Sequence, residues 1–395
     1  MDLAAVKHRM AQEVDRRAAL LIEVSHRIHA HPELNFEEHH AHDLLCEILE
    51  GEGIETQRRS HGLDTAFVGR AGRSGPNIAV LLEYDALPGI GHACGHNIIA
   101  AAGLGAGLAA AAVADVCGGQ VSIVGTPAEE GGGGKVLQIR AGAFERVDAA
   151  MMVHPAGADL RGMDTVAIHR CLATYRGESA HAAAAPERGR NALDAAVLGY
   201  VNIAALRQHI GPAERIHGVF TDGGDKPNIV PSRAQTEWYV RSPTVAGLQD
   251  LKARVAACLE AGATASGCEV DLDWLEPPYA DMVPVSAFCD LYVANAAALG
   301  REVREPDPDS RVVGSTDMGD VSYEVPSIHP MIQAAAPGTA IHTEAFAGYA
   351  AGPLGDAAVI DGAKAMAWTV ADLWMRPGLL DVVTAEHREQ VAARR

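Results

Sequence analysis

A short apolar run, Asn77-Ile-Ala-Val-Leu-Leu82, ends at two carboxylates, Glu83 and Asp85. The run has the length and the apolar content of a buried strand. Pro88 and Gly89 then break the backbone, and His92, Cys94 and His96 follow in the loop. From Ile98 the chain turns apolar and Ala-rich, which reads as a helix. A strand, a polar loop and a buried helix in that order are the unit of an α/β layer. The loop also places Cys94 and His96 at a helix mouth. Free backbone N–H groups there favour the thiolate, the form that binds metal.

The same pattern recurs on both sides of this stretch. Residues 4–29 read as one amphipathic helix, His31-Pro-Glu-Leu-Asn35 breaks it, and a second helix runs over about 37–50. Strand-like runs occupy 53–56 and 65–68. Gln120-Val-Ser-Ile-Val-Gly125 reads as another buried strand leading into Thr126-Pro-Ala-Glu-Glu130 and a glycine run. A short helix over 136–141 precedes a strand, Ala149–His154, that ends in a histidine. The pattern predicts a central, mostly parallel sheet with helices on both faces.

After about Gly162 the pattern changes. Strand-like 165–175, helix 191–208, strands 216–220 and 235–241, helix 245–263 and strand 269–274 form an α+β unit of roughly a hundred residues. The α/β pattern returns after Pro277-Pro278, with a helix over 286–299, a strand over 327–333 and a long helix over 355–374. The expected organisation is a discontinuous catalytic domain, 1–163 with 281–395, and an inserted domain, 164–280.

Candidate ligands gather at the predicted strand ends: Asp85 with Cys94 and His96, the pair Glu129-Glu130, His154, and His342 in Ala340-Ile-His-Thr-Glu344. Ligand sets of α/β folds lie beyond the carboxyl ends of the strands. Imidazole, thiolate and carboxylate together suit Zn or Mn better than Mg or Ca. The set suits two divalent ions, which generate hydroxide at neutral pH and clamp a developing oxyanion. Neighbouring side chains on extended backbone diverge, so one of Glu129 and Glu130 ligates metal while the other faces substrate as a general base. Gly131-Gly-Gly-Gly-Lys135 lacks the spacing of a phosphate loop, and Gly103-Leu-Gly-Ala-Gly107 lies inside the predicted helix, where it serves packing.

Composition sets the compartment and excludes some partners. A formal charge of −19 argues against nucleic acid and anionic membranes. Seven scattered cysteines without a CxxC pair suggest reduced thiols and a cytoplasmic protein, and the N-terminus carries no apolar signal core.

Six motifs, in order along nearly the whole chain, resemble the aminoacylase/carboxypeptidase G metallopeptidases: Glu83–Pro88, His92–Asn97, Gly125–Glu130, His154-Pro155, Gly314–Asp317 and Ile341–Glu344. Within that amidohydrolase family they are similar to the branch of aminobenzoyl-glutamate hydrolase, the indole-acetyl-amino-acid hydrolases and the Xaa-Arg (β-alanyl-lysine) dipeptidase. The resemblance implies a homodimeric enzyme with two divalent metal ions per subunit. It cuts the amide bond of a dipeptide or N-acyl amino acid that carries a free carboxylate. By motif position Cys94, His96, Glu130, His154 and His342 match metal ligands, Glu129 the general base and Asp85 its supporting aspartate. Glu83 stands where the carboxypeptidase G branch has a histidine ligand, and Asn97 where aspartate is common. In the inserted domain, Gly177–His181 and Lys226–Pro231 match the family's lid and dimerisation domain. The resemblance implies that His181 reaches the partner subunit's site and that Asn228 and Arg241 hold the substrate carboxylate, Arg241 through its bidentate fork. Two alternatives remain: a deacylase or aminohydrolase of aromatic amides, and a silent homologue that binds peptide or metal.

Overall fold

The computed structural model describes residues 1–306 and 313–394. The chain divides into two compact units, Met1–Asp164 with Met282–Ala393, and Thr165–Asp281 with Arg394–Arg395.

The first unit is built on a six-stranded sheet in the order Glu55–Arg58, Phe67–Ala71, Gln120–Thr126, Asn77–Glu83, Ala149–Met151, Ser327–Ile328. The last four strands are mutually parallel, and the first two join antiparallel. The central strands Asn77–Glu83 and Gln120–Thr126 pair in register from Asn77–Gln120 to Glu83–Thr126 and are almost wholly buried. That burial on both faces explains their unbroken apolar runs. Helix His96–Ala111 is buried along nearly its whole length and packs on the strand Asn77–Glu83 and on the helix Pro353–Met375. A helix buried all round needs no polar face, hence its Ala, Gly, Ile and Leu content. No helix among the described residues is long and apolar enough to cross a membrane.

Several boundaries depart from the sequence pattern. The helix expected over 4–29 is two helices, Leu3–Arg16 and Ala18–Ala30. Arg17 between them has φ −102° and ψ 6°, and its guanidinium bridges Glu13 and Glu52. Neither Arg nor Ala disfavours a helix, so a tertiary ion pair rather than local propensity accompanies the break. The strand expected over 149–154 ends at Met151, and His154–Ala156 joins a second small sheet with Met331–Gln333. The strand expected over 327–333 is split in the same place, at His329-Pro330. Two neighbouring parallel strands therefore bend together, and His154 begins the segment after the bend. Its N–H donates to the Pro330 carbonyl at 2.9 Å.

The second unit is a four-stranded antiparallel sheet in the order Glu269–Tyr279, Ala167–Arg176, Arg233–Ser242, Arg215–Asp222. Helices Ala192–Leu206 and Val245–Ser266 pack on one another and on the sheet. Strand Ala167–Arg176 alternates buried and half-exposed residues, the period of a sheet with one covered face. Trp238, Tyr175, Leu251, Val255 and Leu259 fill the core between the layers.

Candidate metal centre

The strand Asn77–Glu83 delivers Glu83 and Asp85 to the edge of the parallel sheet, and the helix starting at His96 turns the chain back. Gly95 caps that helix at φ +81°, a conformation that L side chains rarely adopt. A Cβ there would also stand 2.6 Å from Pro155 Cγ. Glycine at this position therefore lets Cys94 and His96 approach the strand that carries His154.

His96 is fully buried, and its Nδ1 lies 3.0 Å from Asp85 Oδ1. That bond fixes the tautomer and leaves Nε2 free to ligate. The other Asp85 oxygen accepts the Glu130 N–H at 2.9 Å. His154 Nδ1 lies 2.8 Å from the Pro155 carbonyl, which turns its Nε2 inward. His342 stands at φ +62°, with its N–H donating to the Ala93 carbonyl at 2.8 Å. Such strain in a non-glycine residue gathers at sites that need one fixed geometry.

These side chains converge. Cys94 Sγ is 3.4 Å from His154 Nε2 and 3.3 Å from His342 Nε2. Glu130 Oε1 is 3.4 Å from His342 Nε2 and 3.8 Å from His96 Nε2. Three groups have ligand atoms mutually within 4.8 Å: Cys94–His96–His154, Cys94–Glu130–His342 and His96–Glu129–Glu130. Ligand atoms about 2.0–2.3 Å from one tetrahedral ion stand roughly 3–4 Å apart, so the spacing fits. His96 Nε2 and Glu130 Oε1 are buried without a hydrogen-bond partner. Buried orphans of this kind are costly unless something satisfies them, and a divalent cation does so. Cys94, His96 and Glu130 each belong to two of the three groups.

Burial dominates the electrostatics of these groups. Burial pushes the Cys94 thiol well up, outweighing the pull of His96. A cation held beside Cys94 would favour its thiolate form. Burial pushes His154 down to about 4, which keeps its imidazole neutral and ready to ligate at neutral pH. Burial and the neighbouring Glu83 and Glu130 push the Glu129 carboxyl well up.

The sequence pattern did not reveal a buried ion network behind this cluster. Lys135, fully buried, pairs with Glu83 and, at 2.6 Å, with Asp317 Oδ1, and its own N–H donates to Asp317 Oδ2 at 2.9 Å. Glu83 Oε2 in turn faces His96 Nε2 at 3.6 Å. The glycine run expected only to be no phosphate loop has a steric cause. A Cβ at Gly134 would stand 1.9 Å from the Pro127 carbonyl oxygen. The lysine after a run of glycines was the available signal: only a glycine backbone lets that helix start close enough to bury it. His329, also buried, sits with its ring centroid 5.3 Å from that of His154.

His181, Asn228 and Arg241 lie in the other compact unit. His181 is exposed and bridges to Ile229, and its Nδ1 accepts the Ala184 N–H at 3.2 Å. Asn228 is exposed, and its carbonyl accepts the Ala182 N–H. Arg241 is half-buried on strand Arg233–Ser242, its Nε without a partner among the described residues.

The model of peptidase family M20/M25/M40 matches residues 79–366. The chain belongs to that family. It is a hydrolase of amide bonds, and its family chemistry is metal-dependent. Xaa-Arg dipeptidase of Mus musculus is 39% identical over 402 residues, covering 98% of this chain and 93% of that protein. A p-aminobenzoyl-glutamate hydrolase polypeptide of Escherichia coli is 29% identical, covering 96% and 94%. Among solved structures, a Bacillus subtilis protein described as a dinuclear metal-binding peptidase of family M20 superposes with a TM-score of 0.71 at 21% identity, covering 91% of this chain and 99% of that one. The aminobenzoyl-glutamate utilization protein of Klebsiella pneumoniae gives 0.73 at 21% identity, covering 93% and 99%. The M20 fold thus accounts for the α/β unit and the separate antiparallel unit.

Proposed function

We propose that this M20 hydrolase cleaves dipeptides or N-acyl amino acids with a free carboxylate, and that its preferred substrates end in a basic residue. The observation that carries the reading is the convergence of Cys94, His96, Glu130, His154 and His342 around buried orphan atoms. The substrate preference is supported by the likeness to Xaa-Arg dipeptidase across almost the full length of both chains.

In this reading the five residues hold two divalent ions, Zn or Mn. When bound, the ions acidify water to near neutrality and polarise the amide carbonyl. Glu129 takes the proton of the attacking water and gives it to the leaving amine. Asp85 keeps the His96 ring in the ligating tautomer. As a base Glu129 must be ionised, which the charge of a cation held beside it would favour. Arg241, whose Nε has no partner among the described residues, and Asn228 hold the substrate carboxylate. His181, supplied by the second unit of a partner subunit, donates to the developing oxyanion. The protein works as a cytoplasmic homodimer, the second unit serving as lid and dimerisation domain.

A mass-spectrometric screen with metal-loaded enzyme tests this. β-Alanyl-lysine and Xaa-Arg dipeptides are expected to turn over faster than aminobenzoyl-glutamate and indole-acetyl-aspartate. The reverse order would move the assignment to aromatic amides, and no turnover on the whole panel would revive the silent homologue.

A further inference from the structure

The turn that carries Glu129 is strained and is held from outside. Ala128, just before it, is a buried non-glycine residue at φ +58°. A left-handed non-glycine residue is strained and persists only where its surroundings over-determine it. Three side chains do so here. Glu38 Oε1 accepts the Ala128 N–H at 2.9 Å. Asp85 Oδ2 accepts the Glu130 N–H at 2.9 Å, and Asn35 Nδ2 donates to the Glu130 carbonyl at 2.7 Å.

Two of these three come from the break between the helices Ala18–Ala30 and His39–Gly51, far from any metal motif. Glu38 directly precedes the second helix, where its carboxylate would ordinarily cap the first turn. Glu33 does that instead, accepting the N–H groups of His40 and Ala41 at 2.8 and 3.0 Å. Glu38 is therefore turned inward and fully buried. Besides Ala128 it accepts the N–H of Phe36 at 2.9 Å on Oε1 and the Thr65 hydroxyl at 2.8 Å on Oε2. Phe36 is itself left-handed at φ +65°, and its ring edge lies where a Cβ on Gly132 would fall, 2.8 Å away. One carboxylate thus ties two left-handed residues together, Ala128 next to Glu129 and Phe36 against Gly132.

We propose that Glu38, assisted by Asn35, is a positioning residue for hydrolysis: it locks the left-handed Ala128 peptide and so aims the Glu129 carboxylate. This rests on the reading of Glu129 as the general base. Glu38 touches neither substrate nor metal in this role; it acts through the backbone. A reacting group displaced by about 1 Å loses on the order of a hundredfold in rate, so the effect belongs in kcat.

The test compares Glu38→Met, Glu38→Gln, Asn35→Ala and Glu129→Gln in the metal-loaded enzyme, with kcat, KM and metal per subunit measured for each. Glu38→Met fills the same space without an acceptor. It is expected to lose about ten- to a hundredfold in kcat while KM stays within about threefold and both metals remain. Glu38→Gln keeps Oε1 as acceptor for both N–H groups and offers an N–H to the Thr65 hydroxyl, so it should stay within about fivefold of wild type. Asn35→Ala, in a half-exposed loop, should lose about three- to tenfold in kcat with metals intact; it decides the matter if Glu38→Met does not fold. Wild-type kcat in Glu38→Met or Asn35→Ala overturns the proposal. So does activity that falls only in step with metal content, or Glu38→Gln as impaired as Glu38→Met. If Glu129→Gln is dead while the Glu38 and Asn35 variants are unimpaired, the positioning role alone fails. If Glu129→Gln keeps wild-type turnover, the base assignment fails and the positioning role falls with it.

Discussion

Glu129 and Glu130 are adjacent in sequence and differ in surroundings. Glu130 Oε1 faces two imidazoles, His342 and His96, whereas the chief influences on Glu129 are burial and other carboxylates. That difference motivates the division of roles into ligand and base. Glu129→Gln should therefore keep both metals and the fold yet lose about a hundredfold or more in turnover, the scale of a missing general base. Elemental analysis beside the rate decides it: a Glu129→Gln protein emptied of metal, with Glu130→Gln still loaded, would mean the roles are exchanged. At this scale the convergence of Cys94, His96, Glu130, His154 and His342 was legible, because few residue types bind a divalent ion and these gather at strand ends. Lys135 and Glu38 were not. Their importance lies in what a buried ammonium or carboxylate meets across the fold, and neither residue type nor spacing encodes that.

Helix His96–Ala111 sets the position of the centre, and its glycines show how close it sits. A Cβ at Gly103 would stand 2.9 Å from the Leu81 carbonyl oxygen and 2.8 Å from Leu82 Cγ, on the strand that leads to Glu83. Backbone cannot yield as a side-chain tip can, so Gly103→Ala should destabilise the protein by about 1–3 kcal/mol, the usual cost of overpacking. Urea unfolding measures this, and an unchanged midpoint would show that the helix has room to shift. The sequence showed this element well: an apolar run without a polar face has nowhere to go but the interior. Element breaks were less legible. The interruption at Arg17 coincides with ion pairs to Glu13 and Glu52, and the shared bend at Met152-Val153 and His329-Pro330 depends on two strands pairing across the sheet. Helices Met318–Glu324, Glu344–Ala350 and Leu379–Arg394 also lay outside the sequence reading. The first two are too short for a clear period, and the last buries only Val383, His387 and Val391.

For the whole molecule, the change of pattern after Gly162 and its return after Pro278 were legible because antiparallel and parallel layers write different periodicities. Assembly is not written that way. If His181 acts only across a dimer, His181→Ala and Glu129→Ala homodimers should each be nearly inactive. Reassorting equal amounts makes about half the dimers mixed, each with one intact site of two, so about a quarter of wild-type activity should return under two-fold symmetry. Verified reassortment without recovery would mean that His181 acts within its own subunit or is structural. Amide hydrolysis by this protein is expected to depend on cations held by Cys94, His96, Glu130, His154 and His342. The decisive measurement removes metal with a chelator, confirms its absence by elemental analysis, and follows cleavage of an Xaa-Arg dipeptide before and after adding Zn or Mn. Cleavage should vanish with the metal and return as about two equivalents per subunit rebind; cleavage at the original rate by verified metal-free protein would rule out this dependence.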